Sequence, residues 1–90
     1  MDAKDFETEL RQAGFNEVVV RDLPPGYFLG DHAHDFDSRA LITAGEITLT
    51  VGGISRTYPA GSIFELNAGC AHQERAGVDG VSYLVGRRAK

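Results

Sequence analysis

The spacing of hydrophobic positions along the chain changes once, near residue 15. Before that point Ala3, Phe6, Leu10 and Ala13 recur at helical intervals, with Asp2 available as an N-cap and Gly14 where a helix stop is expected. This predicts one short amphipathic helix over residues 2–13, laid against the outside of something flatter. Beyond Phe15 and Asn16 the period shortens to two, the mark of strands with one buried face. Glu17 to Arg21 reads as a strand, and Leu23-Pro24-Pro25-Gly26 as a rigid turn, since proline fixes φ and lacks a ladder donor. Tyr27 to His34 is a second strand. Ser38 to Thr43 is a third, with Ala40 and Ile42 on the face of Ser38, and Ala44-Gly45 is expected to reverse the chain into Glu46 to Val51. Gly52-Gly53 is the strongest hairpin signal, because a two-residue primed turn needs positive φ. Strands then follow at Ile54 to Tyr58, Ser62 to Leu66, Ala71 to Arg75 and, after a loop from Ala76 to Gly80, Val81 to Gly86.

About eight short strands with glycine at nearly every corner, and no helix after residue 14, predict an all-β antiparallel sandwich or barrel. One domain is expected, with residues 1–16 carrying the helix packed on a barrel of residues 17–90. A chain of 90 residues buries only a modest core, so pairing with a second copy would help it, and a homodimer is expected. The net charge of -4 argues against a nucleic-acid or anionic-membrane partner. The basic run Arg87-Arg88 with Lys90 reads as a solvated tail. No apolar run approaches the roughly 20 residues of a membrane span, and Met1-Asp-Ala-Lys-Asp lacks the apolar stretch of a signal peptide. A single cysteine, Cys70, excludes an intramolecular disulfide and fits a reducing compartment, so the expected location is cytoplasmic.

The candidate chemistry lies in the histidines, of which the chain has three. On a strand, residues i and i+2 share a face about 7 Å apart, so His32 and His34 are placed to converge on one point. His72 stands in a similar strand-like setting. Around these residues the spacing resembles that of cupins, small jelly-roll barrels with motifs G-x5-H-x-H-x3,4-E-x6-G and G-x5-P-x-G-x2-H-x3-N. Gly26, His32, His34, Ser38 and Gly45 keep every interval of the first motif, and Gly61, Asn67, Gly69, His72 and Ala76 keep those of the second. The resemblance covers about residues 18–86. It implies an all-β cupin jelly-roll barrel with one short N-terminal helix, and a divalent transition metal held by His32, His34 and His72. Neutral imidazoles suit iron, nickel, zinc, manganese or copper, and three from one side leave open positions for water or substrate.

Three residues depart from the motifs: Ser38 stands at the glutamate ligand, Asn67 at the proline and Ala76 at the asparagine. Without the glutamate the site keeps the full charge of its metal, which favours an anionic ligand, and some cupin dioxygenases resemble this chain in using three histidines alone. Ser38 either binds a metal water or fills space. Asp37 either turns inward through a bulge or stays out, and Asp31 and Asp35 either orient a histidine or are solvated. Cys70 is either part of a Cys-x-His chelate or an inert buried thiol. Tyr27, Phe28, Phe36, Phe64 and Tyr83 are expected to line the barrel or its mouth. Glu65, Glu74 and the aspartates are the available general bases. The function expected is oxygen-dependent oxidation of a small anionic molecule. The alternatives are a non-catalytic small-molecule binding or sensing module, and a sugar isomerase or epimerase using Tyr27 or Tyr83.

Overall fold

The computed structural model describes residues 1–89; Lys90 of the expected basic tail lies outside them. Helix α1 spans Ala3–Gln12, and the Asp2 carboxylate accepts a hydrogen bond from the Asp5 backbone N–H at 2.8 Å. Such a cap contributes about 1 kcal/mol. Six strands follow: β1 (Glu17–Leu23), β2 (Phe28–His32), β3 (Phe36–Val51), β4 (Ile54–Pro59), β5 (Ile63–Leu66) and β6 (His72–Ala89).

All pairings are antiparallel, and β3 and β6 form the spine. The first half of β3 lies between β5 and the C-terminal half of β6, which carries β1 on its other edge. The second half of β3 lies between β4 and the N-terminal half of β6, which carries β2. The two long strands thus fold over together and give two layers, β1-β6-β3-β5 and β2-β6-β3-β4. Ala40, Phe64, Tyr83 and Val85 of the first layer meet Ile47, Leu49 and Ala76 of the second in one core. Among the described residues the outer strands do not pair with one another, so the expected barrel is a folded sheet that does not close.

The strand count differs from the expected eight for a physical reason. Ala44-Gly45 does not reverse the chain, and residues 76–80 are not a loop; both lie within the continuous strands β3 and β6. The register shifts between Ile42 and Ala44 and again between Gly45 and Ile47. Those irregularities change the parity of the buried face. Ser38, Ala40 and Ile42 point inward before the bend and Ile47 and Leu49 after it, while β6 passes from His72, Glu74 and Ala76 to Val81, Tyr83 and Val85. A glycine and a break in alternation predict a reversal, but a bulged bend gives the same signal. The expected Gly52-Gly53 turn is present, with φ of 58° and 80°.

The helix packs on the outside of the first layer. Phe6 and Leu10 are fully buried, against Leu41, Leu84 and Phe15. The approach is close because Gly86 lies beneath: a Cβ there would stand 2.9 Å from Leu10 Cδ2 and from Phe15 Cβ. The basic run is not a solvated tail either. Arg87 and Arg88 belong to β6; the Arg88 guanidinium lies 4.3 Å from the Phe15 ring centroid and donates to the Ala13 carbonyl at 2.9 Å.

Gly45 holds the bend together. Its φ is +70°, and a Cβ there would collide with the Gly80 carbonyl on β6. Gly45→Ala is expected to destabilise the fold by about 2 kcal/mol or more, from left-handed strain and the lost β3–β6 approach. Urea unfolding of the variant measures it, and an unchanged midpoint would show that the bend does not depend on this residue.

Candidate metal centre

His32 ends β2 and lies directly across from His72, the first residue of β6. Their ring centroids are 4.1 Å apart. His34 lies two residues beyond the end of β2, where its carbonyl accepts a 2.7 Å hydrogen bond from the Gly69 N–H. That bond ties the link after β2 to the turn that precedes β6, so the two histidine-bearing segments share a fixed corner. The three side chains offer ring nitrogens that all lie within 4.8 Å of one another. His72 is 2% exposed, His32 is half-buried and His34 sits at the rim, its ring stacked 4.7 Å from that of Phe36.

Two of the imidazoles are oriented by backbone. His32 Nδ1 is 2.8 Å from the Gly30 carbonyl and His72 Nδ1 is 2.9 Å from the Cys70 carbonyl. A carbonyl only accepts, so each Nδ1 carries a proton, and in the neutral ring Nε2 keeps the lone pair. This is the tautomer a metal requires, and the hydrogen bond fixes the ring plane as well. Partial desolvation at the rim, then the neighbouring imidazoles of His32 and His72, hold His34 below the usual histidine range. It too is favoured as a neutral ligand. The donor set therefore fits a transition metal: three neutral nitrogens converging from adjacent segments, with room on the remaining side.

The histidines open onto a cavity of about 70 Å³, also lined by Ser38, Glu74, Tyr83, Phe36, Phe64, Arg21 and Arg87. Since a water occupies about 30 Å³ of liquid, this is space for an ion and a small ligand. Ser38 is 8% exposed and sits between Leu66 of β5 and Arg87 of β6. Phe36, Phe64 and Tyr83 are at the wall. Burial is the chief cause that pushes the Tyr83 phenol up to about 12, with the negative charge of Glu74 adding to it.

Several residues are not where the sequence placed them. Tyr27 packs against the hydrophobic core of the two layers and is not part of the cavity wall. Phe28 is half exposed and stacks under the Arg75 guanidinium at 4.6 Å. Asp37 keeps regular strand register opposite Arg88, so no bulge turns it inward. Its carboxylate accepts from the Ala68 N–H at 2.8 Å and pairs with Arg88 at 3.1 Å. Asp31 and Asp35 are exposed, and the orienting role conceived for them belongs to the two carbonyls. Cys70 precedes β6, and its carbonyl rather than its sulfur meets His72; the thiol is half-buried and outside the histidine cluster.

Two residues were missed. The sequence pattern assigns Arg87 to a tail, yet it shares the inward face of Val85 and reaches the cavity, with its guanidinium 5.2 Å from the Phe36 centroid. Glu74 was considered only as one of several bases. Its position two after His72 was the available signal, because the same i, i+2 rule that joined His32 to His34 puts Glu74 beside His72.

No family model and no curated protein matches the sequence. Solved structures do match in fold. A cupin-2 domain-containing protein from Shewanella frigidimarina aligns with a TM-score of 0.67 and 15% identity, over 81% of this chain and 69% of that one. An RmlC-like cupin from the same organism aligns at 0.68 and 20%, over 81% and 66%. A variant of Bacillus subtilis oxalate decarboxylase aligns at 0.74 and 19%, over 89% of this chain and 23% of that one. The chain has the fold of a small cupin domain, and its three histidines are placed to hold a metal ion.

One consequence can be read without a ligand. The Tyr83 phenol should ionise near pH 12, with stability lost as pH rises from about 10 through that value. Ultraviolet difference titration, compared with Tyr83→Phe, checks this: a variant that removes an ordinary exposed titration would contradict the buried placement.

Proposed function

We propose that the chain binds one divalent transition metal through His32, His34 and His72 and uses it on a small anionic organic molecule, with oxygen-dependent oxidation as the chemistry. The carrying observation is the convergence of three ring nitrogens within 4.8 Å at a cavity that also holds two guanidinium groups. A metal bound there would supply Lewis acidity and, if redox-active, a route to dioxygen. The residues supply the rest. The carbonyls of Gly30 and Cys70 keep two imidazoles in the ligating tautomer, and Phe36, Phe64, Leu66 and Val85 line much of the wall with apolar surface.

Anion selection rests on Arg21 and Arg87. Arg87 is held by an ion pair with Glu17 at 3.0 Å, so part of its charge is already matched. Arg21 lines the cavity with no ion pair among the described residues and lies across the strand pair from Tyr83. It is the cation available to a carboxylate, and a small acid is the ligand that reaches it beside the histidines.

The second reading is non-catalytic binding or sensing of such an acid. It is favoured by Ser38, which stands at the cavity where the resemblance expects a carboxylate ligand, and by the apolar share of the wall. Of Tyr27 and Tyr83 only Tyr83 lines the cavity, so the sugar isomerase reading lacks a tyrosine pair at the histidines.

Protein purified without chelator should carry metal, and His32→Ala should lose it; equal metal content in both would remove the site. With metal loaded, dioxygen consumption over a panel of small carboxylic acids separates the readings. A substrate is expected whose KM rises about tenfold in Arg21→Ala, the worth of one charge-assisted hydrogen bond of about 1.5–3 kcal/mol attenuated by Arg87. Tight binding without turnover would select the sensor.

The assembly is proposed to be a homodimer. Val20 on β1 is 67% exposed, and β1 has a partner on one edge alone among the described residues. Light scattering that gives a monomer mass at micromolar concentration would refute it.

A further inference from the structure

The carboxylate that Ser38 lacks is present in the cavity on another strand. Glu74 stands two residues past His72 on β6, on the same inward face. The residue is 8% exposed, and its side chain 10%. Its Oε2 lies 3.8 Å from His72 Nε2 and 4.0 Å from His32 Nε2. Those are the two nitrogens whose lone pairs are left free by the carbonyl bonds at Nδ1. We infer that Glu74 is the fourth protein ligand of the metal, so that the site is three histidines and a carboxylate with the carboxylate contributed by β6. This rests on the three-histidine reading and adds a donor to it.

The geometry separates this role from two others. If Glu74 were there to orient the histidines, it would accept a hydrogen bond from one of them. Neither separation is a hydrogen bond. If it were a structural acid, it would have a partner. Among the described residues no hydrogen bond reaches its side chain, and neither Arg21 nor Arg87, the guanidiniums of the same cavity, pairs with it. The carboxylate faces both ring nitrogens at separations too long for a hydrogen bond, and a cation between them would engage all three groups. A metal holds nitrogen and oxygen ligands at about 2.0–2.2 Å, so two donors of one ion lie within about 4.4 Å of each other. Glu74 falls inside that span from His32 and His72, and the histidine nitrogens, within 4.8 Å of one another, would draw in slightly around an ion.

The consequence is electrostatic. Three neutral imidazoles leave a divalent ion with its full charge, whereas the carboxylate halves it. An anionic substrate would then rely more on Arg21 and less on the ion, and the metal would be held more firmly than by histidines alone.

Cobalt(II) tests this, since its visible absorption reports coordination directly. Wild type, Glu74→Gln and His32→Ala are titrated with Co²⁺ alone, and the metal-free proteins are melted. Glu74→Gln is expected to bind Co²⁺ at least tenfold more weakly with an altered visible spectrum, while its metal-free melting temperature stays at or above that of wild type, because no hydrogen bond to the Glu74 side chain is lost. His32→Ala is expected to lose binding. If His32→Ala loses binding while Glu74→Gln keeps the wild-type affinity and spectrum, the three-histidine site stands and the Glu74 assignment falls. A marked drop in the metal-free melting temperature of Glu74→Gln would make Glu74 a structural group and overturn the assignment too. Absence of Co²⁺ binding to wild type would overturn both.

Discussion

The antiparallel pairing of β3 with β6 is the constraint on which the rest depends. Each strand is long enough to belong to both layers, and each must therefore bend while keeping its partner. The bend is placed where Gly45 faces Gly80, and the register slips there turn the buried face from even to odd positions. Because of that switch, residues far apart in sequence line one cavity. His72 and Glu74 come from the start of β6, Tyr83, Val85 and Arg87 from its end, and Ser38 from the start of β3. A sheet of the same strands without the bend would present these groups on opposite faces.

The site is rigid where it is buried and open where it is exposed. His32 and His72 are cross-strand partners with protonated Nδ1 atoms engaged, so their approach is set by the ladder itself. His34 lies outside any strand, held by a backbone bond to Gly69 and by stacking on Phe36. Of the three imidazoles it is the one with freedom to adjust to an ion or to admit a ligand.

Local pattern carried most of the fold. The helix, its Asp2 cap, the Gly52-Gly53 turn and the motif frames around all three histidines depend on neighbours in sequence, and those were legible. What was misread depends on a partner strand. Gly45 signals positive φ, but only the opposing Gly80 decides that the result is a bend and not a reversal. Arg87 and Arg88 look like a tail until Phe36, Glu17, Phe15 and Asp37 are placed beside them. Glu74 was hidden by expectation of a different kind: the missing carboxylate was sought at Ser38 and its immediate neighbours, although the second histidine segment carried one at a matching strand interval.

The two carbonyls that orient His32 and His72 carry one further implication. Every residue type has a backbone carbonyl, so positions 30 and 70 can drift without releasing the rings, provided the backbone path is kept. Positioning groups of this sort leave no trace in side-chain identity, and homologous sites with unlike residues there would still present the same nitrogens. For protein engineering this frees Cys70 in particular: the lone thiol is exchangeable, or can carry a reporter label, next to the centre without altering the element of it that holds the imidazole in place.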